Sequence, residues 1–215
     1  MKRTRSTLAA ALFAVSLTGV AVAQGATLTR EPAQVRSGSY VLDPAHGKIT
    51  WSVSHMGFST YVGQFSGVSA NLQLNSANPS ASRLEASVRM DSVGTFSDGL
   101  DKHLKTADFF DTAKHPTATF RATSVRRVDA DSAEIAGDLT LRGVTRPIVI
   151  KADFNQAGVN PVSKLYTVGF DGQAKIKRSD FGIDYGLPLL GDEVTLNLEA
   201  EFVASSAEQA KGKAR

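Results

Sequence analysis

Four histidines, at positions 46, 55, 103 and 115, are the residues best suited to hold a metal or move a proton in this chain. A helical metal site needs ligands three or four residues apart, as in His-Glu-x-x-His, and no two of these histidines are so spaced. The sequence has no cysteine, which excludes disulfides, thiolate metal sites and thiol catalysis. Serines are plentiful, but none sits in a Gly-x-Ser-x-Gly elbow, and no glycine-rich loop leads into a helix to cradle a phosphate. Asp101 and His103 read as a solvated face. Two places remain. His55 ends an alternating apolar file, as a packed rim histidine or as a contact to a polar head group. Arg178 and Asp180 flank Ser179 in Arg178-Ser179-Asp180-Phe181-Gly182. They could form an ion pair that fixes a turn, or Arg178 could meet a polar group at a mouth.

The elements that must position these residues are strands. Ile49, Trp51, Val53 and His55 alternate with Lys48, Thr50, Ser52 and Ser54, the period of two of a strand with one dry face. Tyr61, Gly63 and Phe65, then Val68, Ala70, Leu72 and Leu74, continue as a second strand bent or bulged around Gly63 and Gly67. The pattern predicts eight strands, over 48–56, 61–74, 83–91, 117–126, 133–142, 145–154, 165–177 and 193–203. Turn signals separate them, among them Asn78-Pro79, Arg142-Gly143, Asn160-Pro161 and Gly191-Asp192. Every strand has one polar face, which argues against a doubly covered parallel sheet. The expected fold class is all-β, an eight-stranded antiparallel sandwich or closed barrel. Ser97 is an N-cap for a short helix carrying Leu100 and Leu104, inserted between strands three and four and covering one end. His115-Pro116 ends it.

The dry faces mix large and small residues. Ala86, Gly137, Ala152, Gly172, Ala174 and Ala200 each have larger apolar neighbours on the same face. Two readings stand. The small residues fit a packed, tapering core, or they leave an internal apolar cavity, since eight strands enclose a space that can be filled or can hold one small ligand. A nine-residue strand is about 30 Å long, so a cavity would suit a long, thin ligand.

Lys2, Arg3 and Arg5, the apolar run Leu8 to Val22, and Ala21-Val22-Ala23 before Gln24 have the form of a secretory signal peptide over 1–23. Cleavage near Ala23 would deliver the rest to the periplasm or outside the cell. Without that segment the 24 Lys and Arg fall to 21, matching the 21 Asp and Glu. The balanced charge gives no footprint for nucleic acid or an anionic membrane. Residues 24–38 read as a linker, 39–204 as the barrel and 205–215 as a polar, frayed tail.

Tyr40-Val41-Leu42-Asp43-Pro44-Ala45-His46-Gly47-Lys48-Ile49, with His55-Met56-Gly57-Phe58-Ser59 and Gly63-Gln64-Phe65-Ser66-Gly67, resembles the opening of the YceI-like family. The resemblance continues through Leu104 to Asp111, His115 to Phe120, Gly137 to Gly143, Arg178 to Gly182 and Gly191 to Val194, and so covers about residues 39–203. Phe96-Ser97-Asp98-Gly99 and Tyr61-Val62 depart from the more basic residues that the family often carries there. The resemblance implies a lipocalin-like barrel in the bacterial periplasm. It implies an interior that binds a polyisoprenoid or similar amphiphile, such as a prenyl quinone, a prenyl phosphate or a fatty amide.

An extended hydrocarbon tail needs only a dry tube. Trp51, Val53, Phe65, Leu72, Phe120, Leu139, Ile150, Phe170, Ile176 and Phe181 are the candidate wall. His55, Arg178 and Asp180 are the candidate polar mouth. The expected protein is a non-enzymatic carrier or scavenger with no cofactor beyond its bound lipid. Its expected partners are the amphiphile and a transient membrane or membrane redox protein; the oligomeric state stays open, a dimer included. Two alternatives remain. One is an enzyme acting on a lipid or quinone at the mouth. The other is a filled structural barrel acting in envelope stress.

Overall fold

Alternation of dry and wet side chains makes ten strand segments, and pairing joins them into one closed sheet. They are β1 (Gly38–His55), β2 (Ser59–Phe65), β3 (Val68–Leu74), β4 (Arg83–Arg89), β5 (Val93–Gly94), β6 (Thr117–Arg127), β7 (Ser132–Leu141), β8 (Val144–Val159), β9 (Tyr166–Lys177) and β10 (Leu190–Ala204). The computed structural model describes residues 28–213, with side chains through Gln209. The expected leader over 1–23 lies outside the described residues.

All pairings are antiparallel, in the order β10-β9-β8-β7-β6-β4-β3-β1-β2-β5, and β1 closes the circle on β10. The first half of β1 pairs with β3 and its second half with β2, so β2 and β3 are two halves of one bent strand. The chain between β4 and β5 turns through a short 3-10 segment, Met90–Ser92. Counted this way, the molecule is an eight-stranded antiparallel β-barrel of lipocalin-like form.

The second expected strand, 61–74, breaks at Ser66-Gly67. A Cβ at Gly67 would stand 2.9 Å from Arg89 Nε and from Ser92, so the bend needs the missing side chain. Arg142-Gly143 makes the β7–β8 turn with φ of 50° and 75°, the left-handed pair that a two-residue hairpin requires. β1 begins ten residues before the expected strand 48–56. Its ladder skips between Leu42 and Gly47, where Pro44 has no N–H to give and Asp43 accepts from the Ala45 amide (2.9 Å).

One end of the barrel, here the upper, carries the β3–β4, β6–β7 and β8–β9 connections. From Leu28 onward the expected linker is part of the fold. Thr29 pairs with Ala157, and Val35 is buried beside Tyr40, Tyr166 and Phe202. Tyr40 Oη donates to the Arg36 carbonyl (2.5 Å), and the Arg36 amide donates to Tyr166 Oη (3.1 Å). Burial pushes the Tyr40 phenol far above its ordinary pKa. The expected tail forms α2 (Ser206–Lys213) on the same rim, where Gln209 Oε1 accepts from the Tyr166 amide (3.3 Å).

The lower end carries the insertion. Helix α1 (Asp98–Leu104) is capped as the sequence suggests, with Ser97 accepting from the Leu100 amide. Leu104, Met90, Val93 and Phe181 bury in the cluster beneath it.

Candidate functional site

The interior is hollow. An upper cavity of about 260 Å³ and a lower one of about 370 Å³ lie end to end along the barrel axis. Ile49, Val88, Ala118, Leu139 and Leu196 line both, a shared apolar collar between the two spaces.

Side-chain size sets the upper space. Ala86, Ala152, Gly172, Ala174 and Ala200 all face it, as the alternation of large and small residues suggests. Gly137 does not. A Cβ there would stand 2.5 Å from the Phe120 ring and from the Arg121 carbonyl, so this glycine seats Phe120. The charged residues bordering the upper space are all exposed: Arg83, Arg127 and Asp131 stand with Ser76 and Ser82, and Lys48, Asp171 and Glu199 lie on β1, β9 and β10.

The lower space is more aromatic. Trp51 stacks on Tyr61 at 6.4 Å and 27°, and Phe65 meets Phe110 edge-on at 5.4 Å. Across from them His103, Phe109 and Tyr185 form a triangle with centroids 5.0 to 5.2 Å apart. His103 Nε2 is 2.8 Å from Asp108 Oδ2, which holds the imidazole against the insertion. Leu100, Leu104, Phe109 and Phe110 from the insertion line the lower space, so this segment is wall as well as cover. Trp51 Nε1 is buried and has no hydrogen-bond partner among the described residues.

The wall residues expected from the sequence distribute along this tube. Leu72, Phe120, Ile150 and Phe170 line the upper space, Trp51, Val53, Phe65 and Ile176 the lower, and Leu139 both. Phe181 lines neither. It is 1 % exposed and fills the core behind the wall. His55 is exposed on the rim of the lower space, its ring 6.4 Å from Tyr61. Tyr61, Met90, Ile183 and Tyr185 complete the lower wall; of these, Tyr61 sits on the same alternating file as Phe65, and the other three lie outside the strand files.

The expected Arg178–Asp180 pair does not form. Arg178 is 7 % exposed and donates to four backbone carbonyls: Ile183 (3.0 Å), Tyr185 (2.9 Å), Leu190 (3.2 Å) and Gly191 (2.8 Å). Asp180 is exposed and takes no part in this. Burial draws the Arg178 pKa down, against the charges of Asp192 and Asp184. Asp192 instead anchors the start of the same loop, accepting from the Ser179 amide (2.9 Å) and hydroxyl (2.8 Å). Its own burial would raise its pKa, but the Ser179 hydrogen bonds and the Arg178 charge hold it low. Arg142 ties this loop to the insertion, donating to the carbonyls of Gly182 and of Ala107. The lower cover is thus sewn to the barrel by guanidinium–carbonyl bonds.

Among the described residues no group of three or more His, Asp or Glu side chains could hold a metal ion, and no helix is long and apolar enough to cross a membrane. What this arrangement can do chemically is enclose an elongated apolar molecule.

The comparisons with known proteins agree with the fold. UPF0312 proteins of Azotobacter vinelandii and Pseudomonas aeruginosa are each 37% identical over 172 residues, covering 79% of this chain and 89% of theirs. A YceI protein of Campylobacter jejuni superposes with a TM-score of 0.64 at 30% identity, over 71% of this chain and 90% of that one. Burkholderia cenocepacia BcnA gives a TM-score of 0.68 at 22% identity, over 76% of this chain and 99% of that one. A polyisoprenoid binding domain from Saccharophagus degradans gives 0.58 at 16%, over 79% of this chain and 100% of that one, a likeness of fold alone. Residues 40–202 match the YceI-like domain, and the chain belongs to the YceI-like family.

Proposed function

We propose that this protein binds one long apolar amphiphile lengthwise in the barrel and carries or sequesters it in the bacterial envelope. The observation that supports this most directly is the pair of apolar cavities inside the barrel, which share the lining residues Ile49, Val88, Ala118, Leu139 and Leu196. Each CH₂ taken from water into such a space gains about 0.8 kcal/mol, so a long tail binds without any polar contact along its length. A polyisoprenoid, a prenyl quinone or a fatty amide fits this chemistry. The shared fold with a domain described as polyisoprenoid-binding favours the first two. The basic start and apolar run of the first 23 residues favour export to the periplasm. Arg178 borders the lower space, but four of its five N–H groups are given to main-chain carbonyls, which argues for a structural role over holding an anionic head group.

Native mass spectrometry of protein purified from its host tests this. The expected result is a lipid-sized adduct, released by organic extraction and identified by its fragments. A bare protein mass under gentle ionisation overturns the proposal.

A further inference from the structure

Both ends of the barrel show apolar side chains to solvent, but they differ in what borders the cavity mouth. At the lower end large apolar side chains project singly from separate loops. Phe58 is 89 % exposed and Met56 48 % in the β1–β2 turn; Leu189 is 66 % exposed before β10. The Met56 amide donates to the Leu189 carbonyl (3.1 Å), so these two tips are adjacent. Phe96, fully exposed, stands just before α1, and Tyr185 is half-exposed. Tyr185 and His55 also line the lower cavity, so its lining runs out to these tips. The upper end exposes apolar side chains too, Val128, Val162 and Leu165, but the margin of its cavity carries Arg83, Arg127 and Asp131.

We infer that the lower end docks on a lipid bilayer, with Phe58, Met56 and Leu189 entering the interface beside the mouth of the lower cavity. Three features favour a bilayer over a second copy of this chain. A stable protein interface buries about 800 Å² per partner, and a few isolated side chains fall well short of that. Side chains carried on separate loop tips do not make a continuous packed face, but a fluid surface accommodates them. Charges on this end are of both signs (Asp98, Lys102, Lys105, Asp108 and Asp184), so no single field selects a charged partner. Apolar side chains set in a polar surround are the pattern of an interfacial anchor. The inference rests on the proposed function for its purpose, since docking there would let a tail pass between bilayer and barrel without crossing water.

Phosphatidylcholine vesicles at high salt test it, by co-flotation of protein purified from its host. The wild type should float with the vesicles. The double variant Phe58→Asp and Leu189→Asp should partition about a hundredfold more weakly, about tenfold for each anchor lost. Val162→Asp, at an exposed apolar residue of the upper β8–β9 turn, should float like the wild type. Uptake of cis-parinaric acid from solution reports the cavity separately, and the double variant should keep it. The inference is overturned if the wild type does not float, if the double variant floats equally well, or if Val162→Asp loses as much. It is also overturned if the wild type sediments as a dimer that the double variant abolishes. Loss of parinaric acid uptake by the wild type would instead count against the carrier reading and leave the flotation result to decide the docking.

Discussion

Gly63 lies under the indole of Trp51, with which it pairs across β1 and β2: a Cβ at residue 63 would stand 2.1 Å from Trp51 Cζ2 and 2.5 Å from Cε2. The ring lies flat against bare backbone, and that flatness keeps the lower cavity open. Gly63→Ala should therefore push the indole into the lumen. Overpacking of this kind costs about 1–3 kcal/mol. Urea unfolding read by fluorescence measures it cleanly, since Trp51 is the sole tryptophan. An unchanged midpoint and an unchanged emission maximum would contradict the packing described.

Ala118 belongs to the collar between the cavities and is buried. Ala118→Phe should divide the tube in two. Excluding even two methylenes from the bound tail costs about 1.6 kcal/mol, so uptake of a long-chain probe should fall at least about tenfold. A short-chain probe should bind nearly as before. Titration with fatty acids of increasing length checks the contrast.

Arg178→Met keeps the bulk of the side chain but leaves four carbonyls without their donor. A buried polar group stripped of its partner costs about 1–3 kcal/mol, and these carbonyls sit on one loop, so a loss of about 3 kcal/mol or more is expected. Limited proteolysis should cut first between Ile183 and Gly191. Asp180→Asn should leave stability within about 0.5 kcal/mol of the wild type, as an exposed substitution away from any contact.

The pair His46 and Asp43 gives a pH dependence with a definite sign. Hydrogen bonding to Asp43 (2.8 Å) raises the pKa of His46, and the same bond, with the Ala45 amide, lowers that of Asp43. The His46 contribution is full below its unfolded pKa and is lost as pH rises through the raised one. That of Asp43 is present above its unfolded pKa and is lost as pH falls through the lowered one. Thermal unfolding from acid to alkaline pH should show a shallow optimum on the acid side of neutrality, and His46→Ala should flatten its alkaline edge.

The strands were legible because each has one dry and one wet face. The bend at Gly67 and the Arg142-Gly143 turn were legible because only certain residues tolerate those conformations. The start of β1 was not, because Asp43-Pro44-Ala45-His46 breaks the alternation while the ladder survives around it. Val35 and Tyr40 hold the segment before β1 with too few apolar residues to leave a periodic mark. Most of the wall was readable as inward files, but Phe181 shows that inward and lumen-facing are different properties. The hold of Arg178 could not be read, since its acceptors are main-chain carbonyls that any residue supplies. Gly137 and Gly172 look alike in sequence, and only the position of the Phe120 ring separates a glycine that seats a neighbour from one that leaves room.

β1 pairs with β10, so the seam of the tube joins the first strand of the fold to the last. A chain that still lacks the fifteen residues of β10 is an unrolled sheet with no lumen. The container therefore comes into being only when β10 docks on β1, and no cargo can be enclosed before that step.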